Sequence, residues 1–158
     1  MKYSAVIEWI KDKIFLRFPS TPRIDIVENI TKLTMTELRK DQYGNEYILL
    51  SENKVDFSTL DGEIKDKTEF ESVQNHVHVL DRITKKEYES LQVISKPLCQ
   101  SVLDILCSKY PNRSFFVYAT VSLHDSFILR FHQAWQGEPP YYDENISFLN
   151  EWVYCIHN

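Results

Sequence analysis

The chain has 158 residues, of which 43% are hydrophobic and 26% are charged, and this ordinary globular composition excludes an intrinsically disordered protein. It carries 18 Lys and Arg residues against 23 Asp and Glu residues. The resulting net charge of −5 disfavours a general nucleic-acid binder, which needs a basic surface. The length predicts a single domain over residues 1–158.

Cysteine use and hydropathy predict the compartment. The cysteines, at Cys99, Cys107 and Cys155, are odd in number and lack the spacing of a metal site. No apolar run approaches the roughly 20 residues that a membrane-spanning helix needs, and charged residues interrupt the N-terminal segment where a signal peptide would be apolar. We therefore expect a cytoplasmic protein with reduced cysteines and no membrane partner.

The N-terminal half is predicted to combine a helix with several strands. Apolar residues at helical spacing predict a helix over residues 3–13, whereas residues 24–29 leave two interpretations open. Residues 63–72 are polar without a strong period and are interpreted as an exposed connection. Alternation and β-branched residues predict strands over residues 32–39, 46–51, 55–60 and 75–83.

A long helix is predicted over residues 84–110. Thr84 and Glu87 have the spacing of a capping box, in which the hydroxyl and the carboxylate each accept an otherwise unpaired backbone N–H. An apolar stripe at helical spacing follows. Pro97 lies within it and predicts either a kink or two helices, the second capped by Ser95.

The most apolar stretch predicts a β-hairpin. Alternate residues share the face that we expect to be the core: Phe115, Val117, Ala119, Val121 and Leu123 in the first strand, with Phe127, Leu129 and Phe131 in the second. A loop at residues 124–126 keeps charge off this face and pairs Val121 with Leu129. The same register places Tyr118 opposite His132.

These elements predict an α+β fold in which an antiparallel sheet packs against two or three helices. The main helices are expected at residues 84–110 and at the N-terminus. Residues 145–156 fit either a helix or a final strand, and the helical interpretation is favoured.

Residue patterns that carry common enzyme chemistry are sparse. Only 3 glycines occur, so a glycine-rich phosphate cradle is absent, and no serine stands in a nucleophile elbow. His76 and His78 are the sharpest metal-like pair because alternate strand residues point to the same side, with His132 or an acidic residue as a third ligand. Two solvated imidazoles are the more common outcome of such a pair. We therefore predict no metal and no cofactor.

A cluster of aromatic and charged residues occupies the reverse face of the hairpin and the loop after it. Its members are Tyr118, Arg130, His132, Trp135, Glu138, Tyr141, Tyr142 and Asp143. As a satellite core, the cluster would pair Arg130 with Glu138 or Asp143. As a protein-recognition surface, it would be anchored by Trp135 and the two tyrosines. As a catalytic site, it would use His132 as a general base tuned by Glu138 or Asp143.

The run ILRFHQAWQGEPPY, from Ile128 to Tyr141, resembles C-terminal segments of small bacterial immunity proteins of polymorphic toxin systems. The resemblance implies a non-enzymatic cytoplasmic protein that binds and blocks a toxin domain, often a basic nuclease. The acidic net charge agrees, since opposite charge speeds the encounter with a basic partner. A non-enzymatic immunity or antitoxin protein is therefore predicted, and the alternative is a small hydrolase or metal-dependent enzyme that uses His132 with Glu138 or Asp143.

Overall fold

The computed structural model describes residues 24–58, 65–143 and 148–158. The helices in these ranges are α1 (Ile24–Lys32), α2 (Lys67–Gln74) and α3 (Lys85–Lys109). The strands are β1 (Thr36–Lys40), β2 (Glu46–Leu50), β3 (His76–Asp81), β4 (Phe115–Ser122), β5 (Ser126–Gln133) and β6 (Glu151–His157). The predicted α+β class, an antiparallel sheet packed against helices, is confirmed. None of the helices in the described ranges is long and apolar enough to cross a membrane.

Two antiparallel sheets organise these elements. β1 and β2 form a hairpin, and the larger sheet has the strand order β3-β5-β4-β6. α3 packs across β4 and β6, and α1 packs against β3. The main core lies between these helices and the inner face of the larger sheet. Val117, Leu129 and Phe131 are fully buried there, as their alternation predicts.

The capping box at the start of α3 is confirmed. The Glu87 N–H donates to Thr84 Oγ1 at 3.3 Å, and Glu87 Oε2 accepts the Thr84 N–H at 2.8 Å. Pro97 neither ends the helix nor divides it, because α3 continues to Lys109. Proline removes the N–H that would bind the Val93 carbonyl, and Val93 lies on the exposed side of the helix.

We expect Thr84→Ala to lower the free energy of unfolding by about 1 kcal/mol, because the first turn of α3 loses a side-chain acceptor. Thr84→Ser is the matched control, since serine keeps the hydroxyl and should remain close to the wild-type value. Urea denaturation followed by circular dichroism measures both variants. Equal stability of the alanine and serine variants would contradict a stabilising cap.

The register predicted for the β4–β5 hairpin is wrong by two residues, although the faces are assigned correctly. Val121 lies opposite Phe127 and not opposite Leu129. On the reverse face, Tyr118 lies opposite Arg130. A shift of two residues keeps every side chain on its predicted face, so burial alone cannot distinguish the two registers.

The loop between β4 and β5 explains this shift. It consists of residues 123–125, and His124 adopts a left-handed conformation with φ 66°. The His124 N–H donates to the Ile83 carbonyl at 3.0 Å, and the Asp125 carbonyl accepts the Arg82 N–H at 2.5 Å. The turn is therefore held by Arg82 and Ile83, which directly follow β3, and the local sequence does not reveal this contact.

Four other predictions need correction or lie outside the described residues. The helix favoured for residues 145–156 is wrong over residues 151–156, which belong to β6 (Glu151–His157) and pair with β4. The exposed connection at residues 63–72 is wrong because α2 occupies much of it. Residues 57–58 form a helical turn where a strand was predicted. The helix predicted over residues 3–13 lies outside the described residues.

Candidate functional site

Tyr118 and His132 form a buried hydrogen-bonded pair on the reverse face. Tyr118 Oη lies 3.0 Å from His132 Nε2, and the two residues are 0% and 1% exposed. His132 Nδ1 donates to the Gln133 carbonyl at 2.7 Å, and Nε2 accepts the Tyr141 N–H at 3.3 Å. Burial lowers the pKa of His132. These partners fit a neutral imidazole protonated on Nδ1, with both ring nitrogens engaged.

Arg130 is buried beside this pair. The residue is 8% exposed, and its guanidinium carbon lies 4.8 Å from the ring centre of Tyr141 and 5.6 Å from that of Tyr142. Its Nε has no hydrogen-bond partner within the described ranges. The side chain is therefore held by cation–π contacts, which are strongest where water is excluded.

Glu138 and Trp135 contact α2 rather than Arg130 or His132. Glu138 Oε2 accepts the Thr68 N–H at 2.8 Å, and Oε1 lies 3.6 Å from Lys67 Nζ. Lys67 Nζ also lies 4.6 Å from the centre of the Trp135 ring. These contacts fix the start of the loop after β5 against the N-terminal end of α2. The pairing of Arg130 with Glu138, one of two alternatives in the satellite-core interpretation, does not form, because Glu138 binds Thr68 and Lys67.

The two tyrosines complete the cover of the reverse face. Tyr141 and Tyr142 pack edge to face at 4.8 Å, and Tyr142 packs against Tyr118 at 5.5 Å. Both are partly exposed, and Asp143 is exposed. We call residues 135–143 the aromatic segment. Of the eight predicted site residues, Tyr118, Arg130, His132, Tyr141 and Tyr142 are in mutual contact on the reverse face. Trp135 and Glu138 instead bind α2 through their polar groups.

Sequence reasoning missed a buried acid at the centre of the molecule. Glu71, in α2, is 0% exposed. Its Oε1 accepts the Ile48 N–H at 2.9 Å and Gln133 Nε2 at 2.6 Å, while Oε2 accepts the Gln133 N–H at 2.7 Å and Trp135 Nε1 at 3.1 Å. Burial is the largest influence on this carboxyl and raises its pKa to about 7, against the opposing effect of these hydrogen bonds.

Asn75, one turn after Glu71, adds further hydrogen bonds to β2. Its Oδ1 accepts the Leu50 N–H at 3.0 Å, and its Nδ2 donates to the Ile48 carbonyl at 2.8 Å. Gln133 Nε2 donates to the Glu46 carbonyl at 3.0 Å. Side chains thus bind the edge of β2 that faces away from β1, where a neighbouring strand would otherwise pair. We call Glu71, Asn75 and Gln133 the side-chain ladder.

A weak signal for α2 exists in the sequence. Asp66 and Glu69 have the spacing of a helix start, and Asp66 Oδ1 accepts the Glu69 N–H at 2.8 Å. The helix still escapes detection because three of its four buried residues are polar, namely Thr68, Glu71 and Ser72. A search for apolar periodicity cannot find a helix that is anchored by hydrogen bonds.

The histidine pair of β3 lies on the exposed part of this strand. The ring centres of His76 and His78 are 5.6 Å apart. His76 Nδ1 lies 2.5 Å from the Val73 carbonyl, and His78 Nδ1 lies 3.1 Å from Asp81 Oδ1. No group of three or more His, Cys, Asp or Glu residues in the described ranges could hold a metal ion.

The cysteines form no disulfide. Burial raises the pKa of both Cys99 and Cys107, and a thiol with a raised pKa is a poor nucleophile at neutral pH. Cys99 and Cys107 are therefore not reactive thiols at neutral pH.

No family model, curated protein or solved structure matches this chain. What the site can do must follow from its residues. It combines a buried aromatic and cationic face with a partly exposed aromatic segment held at both ends, an arrangement suited to contact with another molecule.

Proposed function

We propose that this protein is a non-enzymatic binder that neutralises a toxin domain by direct contact, in the manner of an immunity protein. The observation that carries the proposal is the aromatic segment, which is partly exposed yet fixed by named contacts. Trp135 and Glu138 attach its start to α2, and Tyr141 contacts Arg130 and His132 near its end. A rigid aromatic surface loses little conformational freedom on binding, which favours affinity.

The chemistry of His132 favours this proposal over the enzymatic alternative. A general base needs a lone pair that can reach a substrate. Nε2 accepts the Tyr141 N–H and contacts Tyr118 Oη, and Nδ1 donates to a carbonyl. Glu138, one proposed partner of this base, instead binds the backbone of α2. A hydrolase would have to break these contacts before it could act.

The charge of the chain supports a basic partner. A net charge of −5 attracts a cationic domain over a longer range than direct contact, and this raises the association rate. Nuclease toxins bind a polyanion and therefore carry basic surfaces. A toxin domain of this kind fits both the charge and the resemblance of residues 128–141.

The experiment is growth rescue paired with binding. A toxin domain encoded beside the gene for this chain is induced with and without the protein, and purified domains are mixed in a calorimeter. We expect restored growth and a saturable complex with equal numbers of the two chains. A toxin domain that binds nothing and kills equally well in the presence of the protein overturns the proposal, as does catalytic turnover of the toxin or its substrate.

Tyr141→Ala should weaken such a complex by about 2 kcal/mol, roughly 30-fold, if this ring is an interface anchor. The fold should survive with some loss of stability, because Tyr142 still contacts Arg130 and the bond to His132 uses the Tyr141 backbone. Tyr43→Ala is the matched control, since Tyr43 is 73% exposed in the β1–β2 turn. Calorimetry measures both variants, and equal affinity would remove Tyr141 from the interface.

A further inference from the structure

Arg130 is a buried cation with an unused hydrogen-bond donor. The residue is only 8% exposed, its Nε has no hydrogen-bond partner, and it forms no ion pair within the described ranges. We propose that Arg130 is a recognition site for a carboxylate, supplied by an acidic side chain of the protein partner. That the carboxylate belongs to a partner rests on the function proposed above.

Because Arg130 is buried, the missing acceptor for its Nε–H requires an explanation. Most buried polar groups in proteins have a hydrogen-bond partner, and an uncompensated buried charge is strongly destabilising. Tyr141 and Tyr142 offset part of this cost through their ring faces. A cation–π contact does not supply a hydrogen-bond acceptor. The rings therefore hold the guanidinium in place but leave its Nε–H without an acceptor, which a bound carboxylate would supply.

The position of the unused donor indicates the class of ligand. Nε–H and a neighbouring terminal N–H of arginine form a planar fork that matches the two oxygens of a carboxylate. Thr120, which is 4% exposed, lies on the same face two residues beyond Tyr118, and its hydroxyl is also unpaired within the described ranges. Among the described residues, three buried side-chain atoms lack a hydrogen-bond partner; the reverse face holds two of them, and both can donate a hydrogen bond.

The surroundings favour a carboxylate delivered by a protein over a free anion. The net charge of −5 repels small anions in solution. An acidic side chain on a partner is brought close by the other contacts of the interface, so it needs little affinity of its own. Tyr141 and Tyr142 are partly exposed and border the guanidinium, so the ligand would approach beside these rings.

The first test needs no partner. The Nε–Hε resonance of Arg130 is followed by NMR in the ¹⁵N-labelled protein during titration with sodium acetate, with sodium chloride holding the ionic strength constant. We expect a weak but saturable shift at Arg130 and none at the exposed Arg82. Absence of a response at Arg130 overturns the site. Saturation by inorganic phosphate without saturation by acetate overturns the choice of carboxylate.

The second test uses the complex with the toxin domain. Arg130→Lys keeps the positive charge but loses the planar fork, so we expect at least 10-fold weaker binding with the fold retained. Arg113→Lys is the matched control, because Arg113 already donates to Glu46 and Gln133 within the chain and should change affinity less than twofold. Wild-type affinity in Arg130→Lys overturns the carboxylate contact and leaves the proposed function intact. Saturation of Arg130 by acetate in a protein that binds no toxin domain supports the carboxylate site and overturns the proposed function.

Discussion

Replacing Glu71 with alanine is expected to lower the free energy of unfolding by about 4 kcal/mol or to prevent folding. The substitution leaves the N–H groups of Ile48 and Gln133 and the side-chain donors of Gln133 and Trp135 without their acceptor. Each buried donor without a partner costs about 1–3 kcal/mol, so even the lower limit gives a large total. Chemical denaturation measures the loss.

Val73→Ala is the control for this variant. Val73 lies in the same helix but is 38% exposed, so its truncation should change the free energy of unfolding by less than about 0.5 kcal/mol. Amide hydrogen exchange gives a second measurement that is local, because the Ile48 N–H should lose protection in Glu71→Ala. A Glu71→Ala protein with wild-type stability would show that water replaces the carboxylate without cost.

The same residue should make stability depend on pH. Burial raises the pKa of Glu71 from 4.5 to about 7, so between these values the folded protein holds a proton that the unfolded chain has lost. The contribution of Glu71 to stability therefore falls as pH rises through this window. At about 1.36 kcal/mol per pKa unit, the fall amounts to about 3 kcal/mol.

Glu71→Gln isolates this effect because glutamine does not titrate. We expect the free energy of unfolding of the wild type, minus that of Glu71→Gln, to decrease by about 3 kcal/mol between about pH 4 and about pH 8. Denaturation curves for both proteins across this range provide the measurement. A constant difference would mean that the carboxyl group titrates alike in the folded and unfolded chains.

Asn75→Ala is expected to cost about 2–4 kcal/mol, because it leaves the Leu50 N–H and the Ile48 carbonyl unpaired in the interior. Asn75→Asp tests the direction of these bonds. It keeps an acceptor for Leu50 but places a second oxygen against the Ile48 carbonyl, so it should be no more stable than the alanine variant.

Asn112→Ala is the control for Asn75, since Asn112 is exposed in the turn after α3. Its replacement should leave the unfolding midpoint close to that of the wild type. Calorimetric melting curves of the three variants give the comparison. If Asn75→Asp were as stable as the wild type, the Nδ2–Ile48 contact would contribute little.

Much of the fold could be predicted from local sequence patterns. Alternation assigned the faces of β4 and β5, and a two-residue capping signal located the start of α3. The exact pairing of Tyr118 could not be predicted, because the turn at His124 is held by Arg82 and Ile83, far along the chain. The alternation of Trp152, Tyr154 and Ile156 was present in β6, but apolar residues at helical spacing competed with it.

The candidate site was only partly accessible to sequence reasoning. Tyr118, Arg130 and His132 could be placed together because strand alternation is local. Glu71 could not be found, since a single acid in a polar stretch resembles an exposed residue. Its role depends on donors from β2 and on residues far along the chain, which only the folded structure brings within reach.

The side-chain ladder also bears on aggregation. A short apolar strand such as Tyr47–Leu50 with an open edge could recruit strands from other molecules and seed cross-β assemblies. Glu71, Asn75 and Gln133 already bind the backbone groups on that edge. These residues therefore protect the chain from templated misassembly as well as joining its two sheets, and loss of the ladder endangers solubility even where the fold survives.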